Sequence, residues 1–142
     1  MSTKQVNILH VEDDEVDAMV MQRALKKTSL DCKYYHAKNG LQALDMLRGT
    51  NGHEKLTPRP SIILLDLNMP QMNGHEFLKE LRADKELKPI SVYVISTSND
   101  DRDRSEAYGN NVAGYIVKPL SLESYMEAVS VLNNFWSLTE LP

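Results

Sequence analysis

The chain has 142 residues, 42% of them hydrophobic and 25% charged, with a net charge of −4, which is the size and balance of one globular domain with a real core. The acidic balance and the lack of a basic stripe argue against nucleic acid and anionic membranes as partners. The single cysteine, Cys32, excludes an internal disulfide and reads as ordinary packing; no apolar run approaches the ~18 residues of a membrane span, and the first residues lack the apolar segment of a secretory leader, so a cytoplasmic location is expected.

Strand and helix patterns alternate along the whole chain. Residues 6–11 form a short run rich in β-branched residues, and Asp13 or Asp14 is placed to cap the helix that follows. That helix carries Ala18, Met21, Ala24 and Leu25 at helical spacing. Residues 33–37 read as a weaker, edge-like strand, and Asn39-Gly40 turns into a short helix with Ala43, Leu44 and Leu47 on one face. Residues 49–60, GTNGHEKLTPRP, hold two glycines and two prolines and read as a loop. Residues 61–66 are the most apolar strand, expected at the centre of the sheet. Phe77, Leu78 and Leu81 mark a third helix after the Asn73-Gly74 turn. Residues 90–96 are a fourth strand, NDDRDRSEAYGNN is a poor and very polar helix, and residues 113–117 are a fifth strand. The last helix has Leu122, Tyr125, Met126, Val129 and Leu132 in register. Five β–α units in this order predict an α/β, doubly wound parallel sheet with five helices on its two faces. Such sheets bind ligands beyond the carboxyl ends of their strands.

Those strand ends carry the chemistry. The first apolar run ends in Glu12 and Asp13, the third in Asp66. If the two strands are neighbours, the three carboxylates share a small volume. Two of them ~4 Å apart repel by about 4 kcal/mol at an effective dielectric near 20, so the cluster either raises a pKa or binds a cation. An all-oxygen set without His or Cys at useful spacing selects Mg²⁺ or Mn²⁺ over zinc. The fourth strand stops at Ser96-Thr97-Ser98 and the fifth at Val117-Lys118-Pro119. A metal, an ammonium and a hydroxyl around a carboxylate suit phosphoryl transfer, with Asp66 attacking in line, Lys118 and the metal neutralising equatorial oxygens, and Ser96 donating to one. A solvated, helix-capping charge run is the plainer reading of EDDE taken alone.

Taken together, VEDD after the first strand, LLDLNMPQMNG after the third, ISTS after the fourth and GYIVKPL at the fifth resemble the receiver domains of two-component response regulators. The resemblance covers essentially the whole chain as a single domain, with a core of about residues 5–134 and a tail of 135–142. It implies a flavodoxin-like strand order 2-1-3-4-5 and a phosphoacceptor rather than an enzyme. It also implies Asp66 as the phosphorylated residue, with Asp13, Asp66 and the Asn68 main-chain carbonyl as metal ligands and Glu12 acting mostly through water. Ser96 becomes the hydroxyl switch, Tyr115 the aromatic switch turning inward, and Lys118 the phosphate-binding lysine. Asn68 and Ser98 line the water approach and tune dephosphorylation. The Lys118-Pro119 peptide is expected cis. The 49–60 loop, the TSNDD segment and the ending NNFWSLTELP are similar to stand-alone receivers that partner bacterial phytochrome kinases, which implies a sensor histidine kinase of phytochrome type as partner.

Two phosphate-handling alternatives and a scaffold remain. A dehalogenase-type phosphatase needs an acid two residues after the nucleophile, where Asn68 stands. A flavodoxin-like FMN carrier needs a phosphate loop where EDDE stands. A non-signalling scaffold receiver would have lost acidic, hydroxyl or Lys positions, and none is lost. His10 lies in an apolar strand and reads as core, while His36, His53 and His75 are scattered. Phe135, Trp136, Leu138 and Leu141 extend beyond a helix already able to cover the sheet through Leu132. They are expected to form an exposed patch and a homodimer through the carboxyl-terminal half, or else to fold back on their own core.

Overall fold

The computed structural model describes residues 5–27 and 31–142; the first four residues, read as a lead-in without a leader segment, and residues 28–30 lie outside that description. The elements are β1 (Gln5–Val11), α1 (Glu15–Lys26), β2 (Asp31–Ala37), α2 (Gly40–Arg48), β3 (Ile62–Leu65), α3 (Gly74–Ala83), β4 (Ser91–Ser96), α4 (Asp101–Gly109), β5 (Gly114–Val117) and α5 (Leu122–Leu138). All strands are parallel, as the alternating pattern predicts, and lie in the order β2-β1-β3-β4-β5, as the resemblance implies.

β3 is central and all four of its residues are buried. An uninterrupted apolar run is what a strand covered on both faces needs, and each fully buried Ile or Leu contributes about 1.5–3 kcal/mol. One face packs Leu9, Val11, Ile63 and Leu65 against Ala43, Leu44 and Leu47 of α2 and Phe77, Leu78 and Leu81 of α3. The other packs Val6, Ile8, Ile62 and Leu64 against Met21, Ala24 and Leu25 of α1 and Tyr125 and Val129 of α5. The helix residues expected at these faces are buried as read, except Met126 and Leu132, which are partly buried, and Leu122, which is exposed.

Local chemistry sets the helix starts. Asp14, not Asp13, caps α1, its Oδ1 accepting from the Val16 and Asp17 amides at 2.8 and 3.1 Å. Asn39 caps α2, and Asn73 forms a capping box with Glu76 at the start of α3. Asp13 is thereby left without a capping duty. Gly74 is required by close approach, because a Cβ there would stand 2.7 Å from the Asp66 carbonyl oxygen and the Leu67 Cα. The Gly74 amide donates to the Leu67 carbonyl at 2.9 Å, so the chain leaving β3 is clamped against the start of α3.

Two expectations are corrected. Residues 135–138 are not a tail: α5 runs on to Leu138, and Trp136 is 0% exposed, with its ring 5.7 Å from that of Tyr93 in a T-shaped contact. Leu141 packs partly against the same core, while Phe135 and Leu138 are exposed. The sheet face beneath α5 still had apolar area to cover beyond Leu132, and Trp136 covers it. The Lys118-Pro119 peptide is trans; among the described residues the cis peptide is Thr57-Pro58. Trans is the preferred isomer of an X–Pro bond by about 0.5–1 kcal/mol, and with it the Lys118 side chain already reaches its carboxylate partners.

Candidate functional site

Strand register brings the acidic residues together. Val11 pairs with Leu65, and the Asp66 amide donates to the Val11 carbonyl at 3.0 Å. The residues just after β1 and β3 therefore lie side by side. Glu12, Asp13 and Asp66 each place a carboxylate oxygen within 4.8 Å of the other two, with Glu12 and Asp66 buried and Asp13 exposed. On the other flank Ser96 pairs with Val117, and the Lys118 amide donates to the Ser96 carbonyl at 2.7 Å. Lys118 thus points back across the sheet edge.

The Lys118 ammonium donates to Glu12 Oε1 at 2.7 Å and to Asp17 Oδ2 at 2.8 Å. Glu12 was expected beside the metal; Asp17 was not foreseen. The sequence did hold a signal, since Asp17 falls in the first turn of the helix that directly follows the acidic end of β1. Burial pushes the Glu12 carboxyl up to about 7, with the Lys118 hydrogen bond opposing and the neighbouring Asp66 charge adding to the rise. Burial likewise raises Asp66, while Lys118, Glu12 and the Asn68 amide act the other way. Burial works against the charge of Lys118, but the hydrogen bonds to Asp17 and Glu12 outweigh it and hold the ammonium above the usual lysine range. The cluster thus holds more carboxylates than one ammonium neutralises. A compact all-oxygen set with surplus negative charge fits a hard divalent cation.

Ser96 and Tyr115, the expected switch residues, meet at Ser98. Ser96 is fully buried, and its Oγ accepts from the Ser98 amide at 3.1 Å. Half-buried Tyr115 donates its hydroxyl to the Ser98 carbonyl at 2.9 Å. Ser98 Oγ donates to Asp103 Oδ2 at 2.6 Å, and Asp103 Oδ1 lies 2.9 Å from Nε2 of His75 on α3. This line from Ser96 to His75 escaped the sequence reading, which took His75 as isolated. Of Asn68, the side chain is exposed and its amide serves Asp66. His10 is a core histidine as expected, with Nδ1 2.8 Å from the Tyr34 hydroxyl and burial pushing it down to about 3. Tyr125, on α5, is buried with no hydrogen-bond partner for its hydroxyl among the described residues. No described helix is long and apolar enough to cross a membrane.

Residues 8–130 match the response regulator receiver domain family. The chain is 36% identical over 129 residues to the probable methanogenesis regulatory protein FilR2 of Methanothrix harundinacea, spanning 91% of this chain and 82% of that one. It is 35% identical over 129 residues to the response regulator Rcp1 of Synechocystis, spanning 91% and 87%. The crystal structure of the phosphorylated cyanobacterial phytochrome response regulator RcpA superposes with a TM-score of 0.91 at 34% identity, over 98% of this chain and 99% of that one. The Mn²⁺-bound form of Rcp1 superposes with a TM-score of 0.88 at 33% identity, over 96% and 99%. Agreement over nearly the whole length, in sequence and in backbone alike, leads to one conclusion: the chain belongs to the response regulator receiver domain family of two-component systems.

Proposed function

We propose that this chain is a response regulator whose Asp66 accepts a phosphoryl group from a sensor histidine kinase. The observation that carries the reading is the buried Asp66 carboxylate at the carboxyl end of the central strand, clustered with Glu12 and Asp13 and faced by Lys118. An Asp66 oxygen attacks the phosphorus, the P–N bond to the kinase imidazole breaks, and the ring nitrogen keeps the electron pair. Hydrolysis reverses the charge: water attacks phosphorus, Asp66 leaves as a carboxylate, and the water proton passes to phosphate or solvent. Asp13, Asp66 and the Asn68 carbonyl would hold Mg²⁺ or Mn²⁺, with Glu12 close by, and the cation supplies charge neutralisation for the transferring group. Lys118 supplies the fixed ammonium for the phosphoryl oxygens. Asn68 and Ser98 flank the approach of water and set the phosphoryl lifetime.

Ser96 carries the signal outward. To donate to a phosphoryl oxygen its hydroxyl gives up the Ser98 amide, and Ser98 is the residue on which both Tyr115 and Asp103 rest. Phosphorylation adds roughly −1.5 to −2 charges, enough to repack this junction. The Tyr115 ring is already partly seated, so the coupling runs through its bond to the Ser98 carbonyl more than through a full inward swing.

A phytochrome-type kinase is the favoured donor, supported by the likeness to RcpA, which is described as a phytochrome response regulator. The equal likeness to a methanogenesis regulator leaves the kinase's input to experiment. The output is protein–protein contact in the cytoplasm. A homodimer through the carboxyl-terminal half is supported by exposed Val117, Leu120, Leu122, Val131, Phe135 and Leu138. Since Trp136 is core, this is tested by sedimentation of Phe135→Asp and Leu138→Asp rather than by truncation: a monomeric wild type at tens of micromolar, with and without phosphorylation, ends it.

Incubation with acetyl phosphate and Mg²⁺ followed by peptide mass spectrometry should place one phosphate on Asp66. Asp66→Asn should take up none, and chelation should abolish uptake by wild type. Labelling of Asp66→Asn at the wild-type rate would overturn the assignment. Sustained turnover of a generic phosphomonoester would favour the phosphatase alternative.

A further inference from the structure

Two carboxylates hold the Lys118 ammonium, and they are unlike. The Lys118 side chain is only 11% exposed, so its charge depends on protein partners. Glu12 is 1% exposed. It is anchored through its own amide to the Ala37 carbonyl at 3.0 Å, and its Oε2 accepts from the Asp14 amide at 3.3 Å. Glu12 also belongs to the acidic cluster. Asp17 does not: it sits in the first turn of α1, outside the set of Glu12, Asp13 and Asp66, and its side chain is 38% exposed. Its carboxylate is half in water and loses a partner at little cost, because solvent replaces the lost donor. Among the described residues no hydrogen bond joins Lys118 to Asp66.

We propose that Asp17 is a positioning residue that holds the Lys118 ammonium in store and competes with the phosphoryl group on Asp66 for it. The proposal rests on reading Asp66 as the phosphoacceptor. Two effects act in the same direction. In geometry, the 2.8 Å bond to Asp17 ties Lys118 Nζ to α1, and a closer approach to the phosphoryl oxygens stretches it. In charge, Asp17 offsets part of the ammonium that would otherwise face the incoming negative group. The identity of this one α1 side chain therefore sets how strongly the free protein resists its activated form, without touching the residues that take up the phosphate. Glu12 cannot play this part, since it is buried and shared with the cluster.

The probe is beryllium fluoride, which bonds to a carboxylate oxygen and presents fluorines where phosphoryl oxygens would stand. Its affinity is read by ¹⁹F NMR titration at saturating Mg²⁺, so that a change in metal affinity does not intrude. Asp17→Asn is expected to bind it roughly two- to five-fold more tightly than wild type, the upper part of the range of a partly exposed charge pair. Asp17→Glu, which keeps the charge and the reach, should return toward wild type. In a Lys118→Gln background Asp17→Asn should have no effect, because the coupling runs through the ammonium. Glu15→Gln removes a charge from the same turn without a bond to Lys118 and should leave the affinity unchanged. Unaltered affinity in Asp17→Asn overturns the proposal, as does an equal gain in the Lys118→Gln background or in Glu15→Gln. If Lys118→Gln does not fold, the contrast between Asp17→Asn and Asp17→Glu decides. If wild type takes neither beryllium fluoride nor phosphate on Asp66, the phosphoacceptor reading falls and this proposal with it.

Discussion

Helices α4 and α5 flank the same edge strand, β5, from opposite faces of the sheet, and they are held by opposite means. α5 buries Tyr125, Val129, Asn133 and Trp136. α4 buries Ala107 alone. Its remaining attachments are polar: Asp103 to Ser98 and His75, Glu106 within 2.8 Å of His75 Nδ1, and the carbonyls of Asn110 and Asn111 just beyond it to Arg82 at 2.8 and 3.0 Å. Apolar burial has no substitute in water, whereas each hydrogen bond exchanges with water for a net of about 0.5–1.5 kcal/mol. The helix joined through Ser98 to Ser96 and Tyr115 is thus the one that shifts at low cost, and α5 is a fixed wall. The division of labour follows from composition: NDDRDRSEAYGNN has nothing to bury, and YMEAVSVLNNFW has a full stripe.

The largest test of this contrast is Trp136→Ala. It should destabilise the protein by about 3–5 kcal/mol in urea unfolding, the cost of emptying a large buried aromatic site. A loss under about 1 kcal/mol would show that α5 is not the apolar anchor. Arg82→Ala comes next. Its guanidinium serves four carbonyls, of Lys88, Ile90, Asn110 and Asn111, and its loss should cost about 2 kcal/mol, since charged donors contribute more than neutral ones. His75→Ala should cost about 1 kcal/mol or less globally, yet raise amide exchange in α4 and leave α5 protected. Equal changes in both helices would erase the distinction.

The smallest effect is in pH. The hydrogen bond from Ser98, then that from His75, holds the Asp103 carboxyl below the usual carboxylate range. Its folded pKa being depressed, its contribution is complete above the unfolded value near 4 and is lost as pH falls through the lower folded value. Acid should therefore loosen α4 before α5, with His75, Glu106 and Arg102 as the other charged groups around Asp103. Amide exchange measured from pH 5 downward (about two pH units) checks this, and α4 and α5 opening together would break the comparison.

Much of the site was legible because its signals are local. Asp66 follows the most apolar run in the chain, and Glu12 and Asp13 follow another; a parallel sheet then has no choice but to place such strand ends along one edge. Asn39 and Asn73 announced their helices in the same way. Trp136 was misjudged although it stands seven residues after Val129, two turns along one face, because the helix through Leu132 already looked able to cover the sheet. Burial there depended on how much of the lower sheet the rest of α5 had left uncovered, a quantity no window of sequence contains.

The alternation of strands and helices and the carboxylates, hydroxyl and lysine at strand ends were determined by the sequence itself, through hydrophobic periodicity and charge placement, while the strand order that makes the carboxylates converge came with the resemblance to receiver domains. Which carboxylates Lys118 holds was decided by tertiary structure. Asp17 and Lys118 lie 101 residues apart, on α1 and after β5, and only the packing of α1 and α5 on the same face of the sheet brings them to 2.8 Å. The same holds for His75 and Asp103, ordinary surface residues until α4 settles beside α3. An ion pair is set by a few ångströms of separation in a partly buried place, and neither the separation nor the burial exists before the layers have packed.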